Sequence, residues 1–226
     1  MNDFKTMVAN IGLELGDTLF VDVAAIDSYT FEKHLSNKKT TEKINSKKWD
    51  YVVLQEFSKR SITKIDDFES KTVSFAKALQ DIIYRNNPDT KVLLFMTWGY
   101  KFGSSSHCQK YKYACDYTSM QDSIASRYYF LGEKLNADVV PCGLAWKLIN
   151  ENQNQQIELY ETDAFHPNPT GSFLNAIVFY QAITSNYTDN LKYNPVNLDN
   201  TIFYLLIDAA TKIADDFYQK YSKIRE

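Results

Sequence analysis

Three histidines occur in the 226-residue chain, His34, His107 and His166, and only His166 stands in a pattern that suggests chemistry. It closes the stretch Asp163-Ala164-Phe165-His166-Pro167, a carboxylate three residues before an imidazole in a turn leading to a helix. At that spacing the carboxylate can accept the Nδ1 proton and leave Nε2 outward as a base, which is the orienting half of a hydrolytic triad. The competing reading of an isolated Asp-x-x-His is a surface ion pair or a capping pair, because short motifs recur by chance. His107, Cys108 and Cys115 can be imagined as zinc ligands. A structural site wants four ligands, however, and adjacent His and Cys make poor geometry, so a polar surface loop is preferred and no metal is expected. The cysteines number three, Cys108, Cys115 and Cys142, an odd count that cannot form a closed disulfide set, so free thiols are expected.

The elements that must position these groups follow from hydrophobic periodicity. Four short apolar or β-branched stretches read as strands: Thr18 to Ala24, Tyr51 to Gln55, Lys91 to Thr97 and Asp138 to Pro141. Segments with helical spacing lie around them: Phe4 to Leu15, Asp66 to Arg85, Tyr117 to Leu135, Pro169 to Ser185 and Leu198 to Tyr221. Runs such as Val92-Leu93-Leu94-Phe95 are apolar on both faces, as in strands covered by helices on either side. The chain therefore reads as a single α/β domain over 1–226, a three-layer α/β/α sandwich with a mainly parallel sheet. Asn87-Pro88 should end the second long helix, and Asn168 should cap the helix that opens at Pro169. Asn150 to Gln156 reads as a solvated polar loop.

In such a sheet ligands bind where the strands end and the following helices begin. After the four expected strands come Asp27 and Ser28, then Gln55, Glu56 and Ser58, then Trp98, Gly99 and Tyr100, then Cys142 and Gly143. Composition removes other function classes. Lys and Arg number 25 against 28 Asp and Glu, a net charge of -3, so no broad positive field exists for nucleic acid. Apolar runs stop at about six residues, far short of the roughly 20 that span a bilayer. The N-terminus shows no signal peptide, so at face value the chain is cytoplasmic.

The motif at His166 is one of an ordered series. Trp49-Asp50-Tyr51-Val52-Val53-Leu54-Gln55-Glu56, Met96-Thr97-Trp98-Gly99, Met120-Gln121, Val140-Pro141-Cys142-Gly143-Leu144-Ala145-Trp146 and Asp163-x-x-His166-Pro167 followed by Gly171-Ser172 together resemble a bacterial subgroup of the SGNH/GDSL hydrolases. The resemblance implies a flavodoxin-like sandwich and serine esterase chemistry on acyl esters, carbohydrate O-acetyl groups among them, without metal or organic cofactor. His166 would be the general base and Asp163 its orienting partner. Gln55 would stand where the superfamily presents an Asn to the oxyanion, with Ser28 near the position of its oxyanion glycine and Trp98 and Gly99 on the substrate side.

The nucleophile block has no counterpart. The family's serine follows a first strand in a Gly-Asp-Ser or Gly-Asn-Ser turn, and the near match Gly16-Asp17-Thr18 stands before a strand instead. The resemblance thus implies an N-terminally truncated member lacking the central first strand of the 2-1-3-4-5 order, with activity impaired or lost and, if a leader was lost too, a secreted or periplasmic origin. The alternative is a non-catalytic ligand- or carbohydrate-binding domain on the same fold, with Tyr29, Trp98, Tyr100 and Trp146 as stacking rings, although Trp49 and Trp146 fit core packing better.

Overall fold

The computed structural model describes residues 2–152 and 157–222. In chain order its helices are α1 (Asn2–Leu15), α2 (Phe31–Leu35), α3 (Lys38–Asn45), α4 (Ser58–Ser61), α5 (Ile65–Phe68), α6 (Ser74–Asn86), α7 (Ser105–Cys108), α8 (Tyr117–Leu135), α9 (Cys142–Asn150), α10 (Pro169–Thr184) and α11 (Asn200–Ser222). The strands are β1 (Tyr51–Leu54), β2 (Lys91–Phe95) and β3 (Asp138–Val140). The chain gathers into two compact units, 24–140 and a second made of 1–23 with 141–226.

The 24–140 unit holds the sheet, with order β1-β2-β3 and every pairing parallel. Tyr51 lies opposite Lys91, and Leu93 opposite Asp138. Val92, Leu93 and Leu94 are all buried, as strands apolar on both faces require. Three parallel strands in consecutive order are what the last three positions of the 2-1-3-4-5 arrangement look like. The long helix expected over Asp66 to Arg85 forms as α5 and α6 joined by a π turn, Glu69–Val73, and stops at Asn86, where Asn87 turns extended before Pro88. Helix α8 packs against β2 and β3, starts on an Asp116 side chain that accepts the Ser119 N–H at 2.8 Å, and ends on a left-handed Asn136.

In the other unit α10 packs against α1, α9 and α11 and is buried from Phe173 through Gln181, so it forms the core of that unit. Asn168 caps it as expected, its side chain accepting the Gly171 N–H at 2.9 Å, with Pro169 in the first turn. Gly171 is there for space: a Cβ would stand 2.4 Å from the Leu159 carbonyl oxygen and 2.6 Å from the Trp146 ring.

Two expectations are corrected. Thr18 to Ala24 forms no strand. Leu19, Val21 and Val23 are half-buried and Phe20 and Asp22 exposed, so the alternation that suggested a strand is real, but no ladder forms on it. Gly16-Asp17-Thr18 serves as a helix stop: Gly16 is left-handed (φ 95°) and the Asp17 N–H returns to the Gly12 carbonyl at 2.8 Å. The second correction concerns the thiols. Cys108 and Cys115 are joined as a disulfide, their Cα atoms 4.6 Å apart, because α7 and the turn after it double the chain back; Cys142 alone is free, and buried. With both thiols spent on each other, the imagined zinc set loses two of its three ligands. Of the polar loop at Asn150 to Gln156, Asn150 ends α9 and positions 153–156 lie outside the described residues. Among the described residues no helix is long and apolar enough to cross a membrane.

Candidate functional site

The Asp163 to His166 segment is a tight turn between two short antiparallel arms. Tyr160 pairs with Pro167, the Glu161 N–H meets the His166 carbonyl at 2.9 Å, and the Asn168 N–H meets the Leu159 carbonyl at 2.9 Å. Within the turn one carboxylate oxygen of Asp163 accepts the N–H groups of Phe165 and His166 at 3.0 and 2.9 Å. The other stands 2.6 Å from His166 Nδ1. The imidazole is 63% exposed, so with Nδ1 engaged the nitrogen left to accept a proton is Nε2, on a ring that solvent and ligands can reach. Burial tends to raise the Asp163 pKa, but the His166 and Phe165 N–H groups and the imidazole outweigh it and hold the carboxyl down at about 2. It is therefore a carboxylate at every pH where a histidine base works. Underneath, the buried Trp146 packs edge-on to Tyr160 at 4.8 Å and donates its indole N–H to Asn175 at 2.8 Å, which braces the arm that carries the turn. Trp146 is thus core and no stacking platform.

The 24–140 unit carries Gln55, Trp98 and Gly99 at strand ends, and Ser28 in a loop that follows no strand. Gln55 follows β1 directly, its side chain exposed. Ser28 is exposed in a turn closed by the Tyr29 N–H on the Ile26 carbonyl at 3.2 Å, and its φ is 59°. That is the left-handed region, which favours glycine, so the backbone shape of a glycine turn is kept by a serine. Lys33 Nζ holds the Ser28 carbonyl at 3.2 Å. Past β2, Trp98 is half-buried beside Phe95 and Gly99 is pinned, its N–H donating to the buried Gln121 side chain at 2.7 Å. A Cβ on Gly99 would sit 3.1 Å from the Tyr117 carbonyl oxygen. Gln55, Trp98 and Gly99 all lie at the carboxyl end of the parallel sheet, where the fold places ligands.

Two residues named in the sequence reading have supporting contacts that it did not foresee. Gln121 was visible only as part of a motif, and its role, holding the Trp98-Gly99 turn, needs the contact. Glu56 is fully buried, with one carboxyl oxygen accepting the N–H groups of Phe57 at 2.7 Å and Phe31 at 3.3 Å. Of the other serines in loops, Ser58 opens α4, and Ser104 is buried with its hydroxyl 3.0 Å from His107 Nδ1.

Comparison with solved structures decides the fold. A DUF4886 family protein from Bacteroides uniformis aligns over 91% of this chain and 87% of its own, with TM-score 0.74 and 16% identity. A protein of Slackia heliotrinireducens proposed to be an SGNH hydrolase aligns over 80% and 90%, with TM-score 0.59 and 21% identity. The acetyl xylan esterase AlAXEase aligns over 81% and 92%, with TM-score 0.57 and 18% identity. The fold is that of the SGNH/GDSL hydrolases. No family model matches the chain, and no curated protein does. Within the SGNH fold the ordered motif series acquires physical meaning: each quoted block falls at a strand end or beneath one of the two loops just described.

Proposed function

We propose that this chain carries the base and oxyanion elements of an SGNH-type serine esterase acting on small acyl esters, O-acetylated carbohydrate among them. The observation that carries the reading is the Asp163–His166 pair, 2.6 Å apart in a turn whose hydrogen bonds leave the imidazole exposed. Asp163 orients the ring and stabilises its protonated form. His166 takes the proton of a serine hydroxyl during attack and returns it to the departing alkoxide. The Ser28 backbone N–H and the Gln55 side-chain amide donate to the oxyanion, and Trp98 and Gly99 line the substrate side. Phe165, 40% exposed and 4.4 Å from the imidazole, offers an acyl or sugar group a flat apolar face. The chemistry needs no metal or organic cofactor.

The attacking serine is the missing member. Of the seven glycines none opens a Gly-Asp-Ser or Gly-Asn-Ser turn, so the chain as it stands turns over ester weakly or not at all. The test is p-nitrophenyl acetate hydrolysis by this chain and by an extended chain with a strand ending in Gly-Asp-Ser added ahead of Met1. Turnover by the extended chain that His166→Ala abolishes supports the assignment. Full-rate turnover by the short chain that His166→Ala leaves untouched removes it. The absence of that turn also favours a second reading, a ligand-binding domain that keeps the fold without the chemistry. Calorimetry showing this chain to bind acetylated oligosaccharide, with no turnover by either chain, would establish that one.

The same proposal assigns the chain to an oxidising compartment, in line with a secreted or periplasmic origin, because a Cys108–Cys115 bridge does not persist in a reducing cytosol. Thiol titration under denaturing, non-reducing conditions should then find only Cys142; three free thiols in protein from an oxidising compartment would contradict it.

A further inference from the structure

The geometry points to Glu56 as the positioning residue of the oxyanion half: its buried carboxyl ties the Ser28 turn to the end of β1 and so sets the spacing between the Ser28 N–H and the Gln55 side chain. This inference rests on the esterase reading above for what the spacing is used for. The tie itself rests on contacts. One oxygen of Glu56 receives the Phe57 N–H at 2.7 Å and, from 25 residues away, the Phe31 N–H at 3.3 Å. Phe31 opens α2 three residues after Ser28, and Phe57 stands two after Gln55. The link therefore joins the two loops that carry the proposed donors by a single side chain.

The surroundings hold that side chain in place. Helix α8 contributes the buried Tyr128, whose hydroxyl receives the Glu56 N–H at 3.3 Å and faces the Glu56 carbonyl at 3.5 Å, so backbone and side chain of Glu56 are both fixed. The second carboxyl oxygen is buried without a full hydrogen bond, as are the hydroxyls of Ser61, Thr72 and Thr97. Thr72 lies on the π turn, close enough to favour the carboxylate form, and Arg60 adds its charge from α4. A carboxyl placed in full burial with one oxygen committed to two backbone donors is costly unless those donors must be held. Packing alone would be served better by an apolar residue of the same size.

Amide hydrogen exchange followed by NMR on this chain, with Glu56→Gln and Glu56→Leu, tests the tie. Gln keeps an acceptor oxygen and Leu removes it at similar volume. Glu56→Leu should raise exchange at Phe31 and Phe57 tenfold or more while amides in the middle of α10 stay within twofold, and Glu56→Gln should restore protection. In the extended chain the same Leu substitution should lower kcat tenfold or more with KM within twofold, and Gln should recover most of the loss. Unchanged exchange at Phe31 and Phe57, uniform loosening of residues 24–140, or an unchanged kcat in an active extended chain overturns the role. If Glu56→Leu does not fold, Glu56→Asp replaces it, since its shorter arm cannot reach both N–H groups. An extended chain that hydrolyses nothing with Glu56 intact defeats the esterase reading, while the exchange arm still decides the tie.

Discussion

Glu56 gives the chain a stability that depends on pH, and the size of that dependence follows from its surroundings. Burial raises its pKa from an ordinary 4.5 to about 7, against the opposing pull of the Phe57 and Phe31 N–H groups, Arg60 and Thr72. Between those values the folded chain holds a proton that the unfolded chain has released. The stabilisation is fully present below about 4.5 and is lost as pH rises toward 7. Each pH unit of that gap is worth about 1.4 kcal/mol, so the whole amounts to roughly 3 kcal/mol. For a chain of this length that corresponds to about 6–12 °C in Tm. His34, lowered by burial, and His107, lowered by burial and by Lys59 and Lys110, act in the opposite direction, adding stability as pH rises through the histidine range. The Glu56 share therefore appears as the difference between the native chain and Glu56→Gln. Thermal unfolding at pH 5 and pH 8 should show the Tm of the native chain, measured against Glu56→Gln, falling from pH 5 to pH 8. Parallel Tm curves for the two proteins over that range would refute the assignment of a neutral buried carboxyl.

Three further outcomes are expected. Ser28→Gly should stabilise the chain by about 0.5–1 kcal/mol in urea unfolding, since relief of a left-handed serine, about 1–2 kcal/mol, exceeds the entropy cost of glycine; a loss of stability would show that φ near 59° carries no strain there. Gly171→Ala should cost about 2–3 kcal/mol, because its Cβ would stand 2.4 Å from the Leu159 carbonyl oxygen and 2.6 Å from Trp146, and an unchanged Tm would mean that both can give way freely. Carboxyl NMR should place the Asp163 titration at about 2, and His166→Ala should move it up toward the ordinary carboxylate range as the imidazole contact disappears; a midpoint already near 4 in the native chain would deny the pair.

What could be read from the letters depended on how local the cause was. The Asn168-Pro169 cap, the stop at Asn87-Pro88 and the doubly apolar Val92 to Phe95 are decided within a few residues, and they form where periodicity and capping place them. His166 and Asp163 were legible for the same reason, being three positions apart. Thr18 to Ala24 has the alternation of a strand, but a strand exists only through a partner's ladder, and alternation says nothing of a partner. The Cys108–Cys115 bridge required the doubling back of the segment after α7, which no spacing rule supplies. Glu56 was read only as one of the polar groups after a strand; its tie to the Ser28 loop appears only when the Phe31 N–H is known to lie beside it.

Left-handed backbone occurs at both proposed half-sites. Among the described residues, five non-glycine residues have positive φ: Ser28, Asn136, Ala164, Ser185 and Asn197. Asn136 and Ser185 end α8 and α10, where the left-handed residue is a usual helix stop and the strain is a matter of termination. Ser28, Ala164 and Asn197 end no helix; Asn197 is of a type that visits the left-handed region routinely, whereas Ser28 and Ala164 are not. Each of these two lies in a loop for which a role in acyl transfer is proposed above, Ala164 at φ 65° between Asp163 and His166. Such residues persist only where their surroundings over-determine them. Around Ala164 this is done by the two N–H bonds to Asp163, the Ala164 N–H on Glu161 and the Glu161 N–H on His166. Around Ser28 it falls to fewer contacts, the Tyr29–Ile26 turn, Lys33 on the Ser28 carbonyl, and Glu56 on the next helix start. The proposed base loop is thus held by its own short-range bonds, whereas the Ser28 loop depends on a side chain from the end of β1. Damage elsewhere in the 24–140 unit should therefore reach the Ser28 loop through Glu56.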